Sequence, residues 1–299
     1  MSPAETEPAF DPAAYKQEML LQSDLAAEAW YRWREVVELW WADATRLLLD
    51  KASITAGDTV LDLAAGVGGQ SIAALERVTA TGSVVAVDVS ASSLGLAQER
   101  ARARGFDNLE VEVGDAEAFD GDGTSFDAVI SRIGLTYFTN GVGTLRRMHS
   151  LLSDTGKVSA AVYSTADRNG FLSVPIEIAG RHAALPPPPQ VQPGPFSLGD
   201  PEALRSVVEE AGFYEVEVQK VSSPILLESA GRFVEFERDC FVGLSRMMRN
   251  LRPVEQEAVW GEISGSLAEF EGPDGFVGPC ELLVVSGLKQ GNTPPARRP

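Results

Sequence analysis

The spacing of apolar residues changes period repeatedly along this chain. From residue 15 to about residue 50 the pattern is helical: Trp30, Trp33, Val37, Trp40, Trp41, Ala44, Leu47 and Leu48 fall within an arc of about 120° at the helical repeat, so one face is expected to bury against a neighbour. An alternation follows. Thr59–Leu63 reads as a buried strand, residues 65–69 as a glycine turn and residues 70–78 as a helix; Ser83–Asp88 is again a strand and residues 92–104 a helix. Strands at Leu109–Val113, 126–131 and 157–163, with a helix at 143–152, continue the rhythm. This βαβα order predicts an α/β fold, a parallel sheet covered by helices on both faces with right-handed crossovers.

Regularity fails between residues 166 and 200, where Leu185-Pro186-Pro187-Pro188-Pro189 and Gln192-Pro193-Gly194-Pro195 predict a stiff, non-helical connection. Asp200-Pro201 then starts a helix over residues 201–210, with Asp200 as N-cap, and Ala211-Gly212 stops it. Residues 214–221 alternate like a strand, residues 233–270 are mostly helical with a break near Pro253, and the apolar run 282–287 predicts a last strand returning to the sheet. The resulting organisation is a disordered N-terminus (1–14), a helical lid (15–58), a βα core (59–164), a remainder with the proline-rich loop and inserted helices (165–290) and a disordered tail (291–299).

Composition narrows the chemistry. At 299 residues, 44% hydrophobic and 23% charged, the chain can bury a substantial core. A formal net charge of −18 repels polyanions, so nucleic acid is not expected as a partner. No run approaches the roughly eighteen apolar residues of a membrane span, and the first residues lack a signal-peptide pattern, so a cytoplasmic location is expected. Two cysteines, Cys240 and Cys280, and two histidines, His149 and His182, neither form a disulfide framework nor supply a transition-metal site, so no metal is expected.

The sharpest motif is Val60-Leu61-Asp62-Leu63-Ala64-Ala65-Gly66-Val67-Gly68-Gly69, a strand running into a glycine turn that opens a helix. Small residues there admit a ligand close to the backbone, and the helix N-terminus offers unpaired N–H groups. Asp88 ends the next strand, where a carboxylate accepts both hydroxyls of a ribose. Together these read as an adenosine site. Asp62, four residues before Gly66, would repel a pyrophosphate and attract an ammonium group, directly or through water.

On these residues the chain resembles a class I S-adenosylmethionine-dependent methyltransferase. Asp62-Leu63-Ala64-Ala65-Gly66-Val67-Gly68 resembles the first motif of that family and Val87-Asp88 its ribose-binding acid. Gly114-Asp115-Ala116-Glu117 resembles the segment that reads the adenine edge, and Phe126-Asp127-Ala128-Val129-Ile130-Ser131-Arg132 the strand ending beside the methionyl group. The resemblance implies a Rossmann-like, mostly parallel seven-stranded sheet with N-terminal helices and an inserted helical cap. It implies S-adenosyl-L-methionine as cofactor and S-adenosyl-L-homocysteine as product. The cofactor-binding set would be Asp62, Ala64, Gly66, Gly68, Gln70, Asp88, Val89, Asp115, Ala116, Ser131 and Arg132. A looser likeness, carried by Asp62-Leu63-Ala64-Ala65-Gly66, Asp115-Ala116-Glu117 and Ser131-Arg132-Ile133-Gly134-Leu135, is to the small-molecule methyltransferases of ubiquinone and menaquinone biosynthesis.

Ser131-Arg132-Ile133-Gly134 departs from the Asn/Asp-Pro-Pro-aromatic segment of enzymes that methylate amino groups of DNA bases or glutamine side chains, and from the carboxylate that metal-assisted catechol methylation needs. Two cysteines cannot assemble a three-cysteine arsenic chemistry. A small, partly apolar organic acceptor is left, its methylated atom open among carbon, nitrogen and oxygen. Tyr31, Tyr137 and His182 are the candidate substrate-binding or basic groups, Phe233, Phe236, Phe241, Met247 and Met248 either line an apolar acceptor pocket or form a small hydrophobic core, and the tryptophan stripe is read as core packing. Two other classes stay open on the sequence: a nicotinamide-dependent oxidoreductase and a non-catalytic cofactor-binding partner protein. A homodimer is compatible with each.

Overall fold

The computed structural model describes residues 10–186 and 192–289. The C-terminal tail and Pro187 to Pro189 of the proline-rich run lie outside the described residues. Helices α1 (Pro12–Arg32), α2 (Arg34–Trp40) and α3 (Ala42–Lys51) lead into β1 (Thr59–Leu63), α4 (Gly69–Val78), β2 (Ser83–Asp88), α5 (Ala91–Ala103), β3 (Leu109–Val113) and β4 (Phe126–Arg132). Then come α6 (Gly141–Leu151), β5 (Leu152–Tyr163), α7 (Gly170–His182), α8 (Pro201–Glu210), β6 (Phe213–Ser222), β7 (Ile225–Leu227), α9 (Ala230–Cys240), α10 (Val242–Met247), α11 (Pro253–Leu267), β8 (Glu271–Gly272), β9 (Gly275–Gly278) and β10 (Glu281–Lys289).

Seven strands form one sheet in the order β3-β2-β1-β4-β5-β10-β6. The first five run parallel, and β10 enters antiparallel between β5 and β6. Parallel strands buried on both faces need apolar side chains at odd and even positions alike. In β1, Leu61 and Leu63 enter a core shared with Leu145, Met148, Leu204 and Val208 of α6 and α8, while Val60 enters the opposite core with Leu48, Leu75 and Leu94 of α3, α4 and α5. A third, aromatic core at the C-terminal end of the strands joins Trp33, Trp40, Phe171, Phe233, Phe236 and Trp260. It seats the cap, α9 to α11 plus a small sheet of order β7-β9-β8, inserted between β6 and β10.

Several elements differ from the expectation. The helical N-terminus begins at Pro12, inside the stretch expected to be disordered, because the Asp11 carboxylate accepts the N–H groups of Ala13 and Ala14 at 3.0 and 3.2 Å and Pro12 occupies the first turn. The expected single helix is three, hinged at Trp33 and Trp41. α7 was missed altogether: Pro175 within it removes a backbone donor and reads as a breaker, yet Phe171, Leu172, Ile178 and Ala179 bury into the aromatic core and hold the helix together.

Candidate functional site

At the C-terminal ends of the strands, where ligands enter open α/β sheets, a cavity of about 870 Å³ lies between the sheet and a roof made by α1 and by α9 and α10. A second cavity of about 260 Å³ adjoins it beside the glycine turn, and Ser23, Trp30, Trp41, Ala64, Ile133, Gly134 and Tyr137 line both.

The turn itself is built by backbone geometry. Gly68 caps α4 at φ +79°, and a Cβ there would stand 2.6 Å from the Cβ of Ala97, so only glycine lets α4 and α5 approach. Ala64 and Ile133 also take positive φ, +58° and +68°, which is costly for a side-chain-bearing residue and worst for a β-branched one. Both residues sit at the junction of the two cavities, at the ends of the neighbouring strands β1 and β4.

Asp88, 6% exposed, lines the larger cavity with Val89. Its carboxylate accepts the Gly66 N–H at 2.8 Å and the Ser90 N–H at 2.9 Å. Burial raises its pKa, and those two donors oppose the rise. Asp115, Ala116 and Glu117 line the same end, and Lys16 of α1 reaches down to Asp115 at 2.8 Å and Glu117 at 3.3 Å. Asp24 of α1 accepts from the hydroxyls of Ser90 and Ser92 at 2.6 and 2.7 Å, and Glu18 pairs with Arg246 of α10. The roof helix is therefore tied down by polar contacts on three sides.

Gln70, Gly66 and Arg132 line the smaller cavity. The Arg132 guanidinium lies over the Trp41 ring at 4.6 Å and donates to the Thr45 hydroxyl at 2.7 Å. Burial lowers its pKa to about 10, with Asp62 opposing. Arg100 pairs with Glu38 and donates to the Val67 carbonyl at 2.7 Å.

Some candidates fall elsewhere. Asp62 is fully buried beneath the turn, where its carboxylate accepts from the Ser71 hydroxyl and from Gln70 at 3.1 Å; it lines neither cavity, and burial pushes its pKa up to about 7. Gly68 and Ser131 are also behind the walls. Tyr31 lies under the Arg34 guanidinium at 4.8 Å, outside both cavities, because the register of α1 turns Trp30 inward instead. His182 ends α7 and pairs with Glu262 of α11 at 2.6 Å, away from the cavities, since the helix runs through a stretch expected to be loop. Tyr137 does line both cavities, and Phe241 and Met247 line the larger, whereas Phe233, Phe236 and Met248 are buried in the aromatic core. Sequence reasoning missed Tyr15, Lys16, Trp30, Trp41 and Tyr163, all of them wall residues of the larger cavity. For the tryptophans the signal was present, since a stripe wider than one neighbour can cover has an edge left over.

An antiparallel strand inserted between β5 and β6 is foreign to the 3-2-1-4-5-6 order of dinucleotide-binding sheets. Strand order and crevice together define a class I methyltransferase fold. Residues 54–184 match the family described as a methyltransferase domain. The chain is 31% identical over 156 residues to the ubiquinone/menaquinone biosynthesis C-methyltransferase UbiE of Hahella chejuensis, covering 52% of this chain and 58% of that protein. It is 30% identical over 142 residues to the aklanonic acid methyltransferase DauC of Streptomyces sp., covering 48% and 59%. The chain thus spans a little over half the length of these curated relatives. Among solved structures, phosphoethanolamine N-methyltransferase 2 of Haemonchus contortus, in complex with phosphomonomethylethanolamine and S-adenosylhomocysteine, superposes with a TM-score of 0.56 at 17% identity, covering 94% of this chain and 60% of that one. Among the described residues no helix is long and apolar enough to cross a membrane, and no three His, Cys, Asp or Glu side chains gather as metal ligands would.

Proposed function

We propose that this protein transfers a methyl group from S-adenosylmethionine to a small, partly apolar organic molecule. The observation that carries the reading is the buried Asp88 carboxylate, held by two backbone N–H groups and exposed to a large cavity at the C-terminal ends of β1 and β2. A carboxylate with both oxygens anchored still has lone pairs for two hydroxyls, which is what a ribose requires.

The residues present fit the rest of the cofactor. Asp115 and Ala116 would meet the adenine edge. The smaller cavity combines the N-terminus of α4 with the buried Arg132 guanidinium, a donor set suited to the carboxylate of the methionyl group. Asp62 would act on the methionyl amino group through Gln70, which touches both the carboxylate and the cavity. Gly66 leaves space, since a Cβ there meets nothing within 4 Å.

When bound, the cofactor supplies a methyl carbon on a sulfonium. Trp30, Trp41 and Tyr137 line the junction of the cavities, and aromatic side chains there favour such a cation. The helices α1, α9 and α10 roof the sheet, so the chain's contribution to an in-line displacement is alignment and partial dehydration. The N-terminal helices serve as the lid. Relatives that methylate small organic molecules, among them UbiE and DauC, support an organic acceptor.

The test is to incubate the purified protein with methyl-labelled S-adenosylmethionine and the low-mass fraction of a cell extract. Label should appear in an organic product of low mass and vanish with Asp88→Ala. Binding of the cofactor without label in any product would leave a cofactor-binding protein and overturn the reading.

A further inference from the structure

The acceptor's chemistry is written in the distribution of polar groups over the cavity wall. Among the described residues, the charged side chains lining the larger cavity are Lys16, Asp88, Asp115 and Glu117. Lys16 is spent on Asp115 and Glu117, and all four gather at the end assigned to the nucleoside. The guanidinium groups of Arg34, Arg100 and Arg132 line the smaller cavity instead. Toward α7 and α10 the wall is apolar, with Leu172, Ile176, Phe241, Leu244 and Met247.

Tyr15, Gln17, Gln22 and Ser23 of α1 bring polar groups to the roof, and Tyr137 and Tyr163 bring two hydroxyls to the ends of the strands. Tyr163 closes β5 at the C-terminal end of the sheet, 1% exposed, its ring wedged against Phe171 and Phe196 at 5.6 and 6.4 Å. Tyr137 follows β4 and lines both cavities. Neither hydroxyl forms a hydrogen bond with any described residue, although Tyr163 is buried and Tyr137 half-buried. Burial raises the pKa of both, Tyr137 to about 12, so both phenols keep their protons and act as donors at neutral pH. They stand close enough to interact electrostatically, and Tyr163 also senses Arg132.

We infer that Tyr137 and Tyr163 form an oxygen-binding subsite on the wall of the larger cavity, beside its junction with the smaller one, so that the methyl acceptor is an uncharged, largely apolar molecule whose carbonyl, enol or phenol oxygen accepts hydrogen bonds beside the atom that receives the methyl group. This rests on the methyltransferase reading for the position of the methyl carbon, but the subsite itself does not. An ammonium bound against Leu172, Ile176, Phe241, Leu244 and Met247 would be stripped of water with no carboxylate among those residues, and the cation near Tyr163, Arg132, is the group assigned to the methionyl carboxylate, which leaves a phosphate ester without one. The tyrosines act as positioning residues: they fix the acceptor's oxygen, and through it the neighbouring nucleophile.

Three probes on one skeleton test this: 1-tetralone carries a carbonyl, tetralin carries none, and 1-aminotetralin is an ammonium at pH 7. Their affinities for the full chain, with and without saturating S-adenosylhomocysteine, are measured by ligand-observed NMR. Tetralone is expected to bind about five- to tenfold more tightly than tetralin, the worth of one or two neutral hydrogen bonds, and more tightly than the amine. Tyr137→Phe and Tyr163→Phe should each shrink the tetralone-to-tetralin ratio, and the double variant should bring it to about one, with tetralin affinity unchanged. Thermal unfolding of each variant checks that it folds; should Tyr163→Phe fail to fold, Tyr137→Phe alone decides. Equal affinities for tetralone and tetralin in the unaltered protein, a ratio indifferent to the substitutions, or a preference for the amine would overturn the inference. If S-adenosylhomocysteine fails to bind while the ratio behaves as expected, the cofactor reading falls and the subsite stands.

Discussion

Replacing Asp88 by asparagine conserves shape and removes one charge at the point on which the cofactor assignment turns. The carboxylate holds the Gly66 N–H at 2.8 Å with one oxygen and the Ser90 N–H at 2.9 Å with the other. Asparagine has a single acceptor oxygen, so one of those backbone donors loses its partner in a site where Asp88 is only 6% exposed. An orphaned buried donor costs about 1–3 kcal/mol, and that loss should appear in the stability of the cofactor-free protein. Binding suffers separately. Two ribose hydroxyls donating to a carboxylate contribute about 1.5–3 kcal/mol each, against about 0.5–1.5 kcal/mol for neutral partners, so the variant should lose about 2–3 kcal/mol, or about 30- to 150-fold in affinity. Titration calorimetry with S-adenosylhomocysteine, paired with chemical denaturation, reads the two effects independently. An affinity within about twofold of the parent's, in a protein that folds, would refute the ribose role of Asp88.

Other consequences follow from the same geometry. The fully buried Asp62, with its pKa pushed up to about 7, favours folding when protonated; its contribution is complete below the ordinary aspartate range and fades as pH rises through about 7, so the unaltered protein should lose up to about 4 kcal/mol between pH 4 and 8 relative to Asp62→Asn in parallel denaturation curves. Parallel curves would contradict that. Gly68→Ala combines a left-handed backbone with a 2.6 Å approach to Ala97, and should lower the melting temperature by about 5 °C or more. Glu237 is fully buried in the cap with neither carboxyl oxygen hydrogen-bonded to a described residue, and burial raises its pKa well above the ordinary range; Glu237→Met should raise stability by about 1–3 kcal/mol, whereas a loss would reveal a partner for the carboxyl group. His182→Ala should leave affinity for S-adenosylhomocysteine within about twofold, as a residue outside the cavities, and a larger loss in calorimetry would place it in the site after all.

Much of the sheet is legible in the sequence because both faces of the parallel strands bury, and continuous apolar runs between glycine turns have few other uses. Asp200-Pro201 marks the start of α8 to the residue, since a capping carboxylate and a fixed φ act within three positions. What stays hidden depends on partners distant in the chain. α7 is a helix despite Pro175 because the aromatic core covers it, and no local rule reports that core. Trp30 and Trp41 belong to the same stripe as Trp40, yet they edge onto the cavity while Trp40 donates to the Ser223 carbonyl at 2.7 Å inside the core. Tyr163 looks like any strand residue until the sheet order puts the end of β5 under the roof. Asp62 fails differently: its motif is recognisable, but whether a carboxylate meets a ligand or its own helix depends on the rotamers of Gln70 and Ser71.

The most direct measurement is a crystal structure of the protein grown with S-adenosylhomocysteine. The nucleoside hydroxyls should lie on Asp88 and the amino-acid end in the smaller cavity beside Arg132, with the thioether sulfur facing Tyr137. Electron density for the ligand anywhere else, or a crevice that excludes it while the protein is folded, would contradict the account.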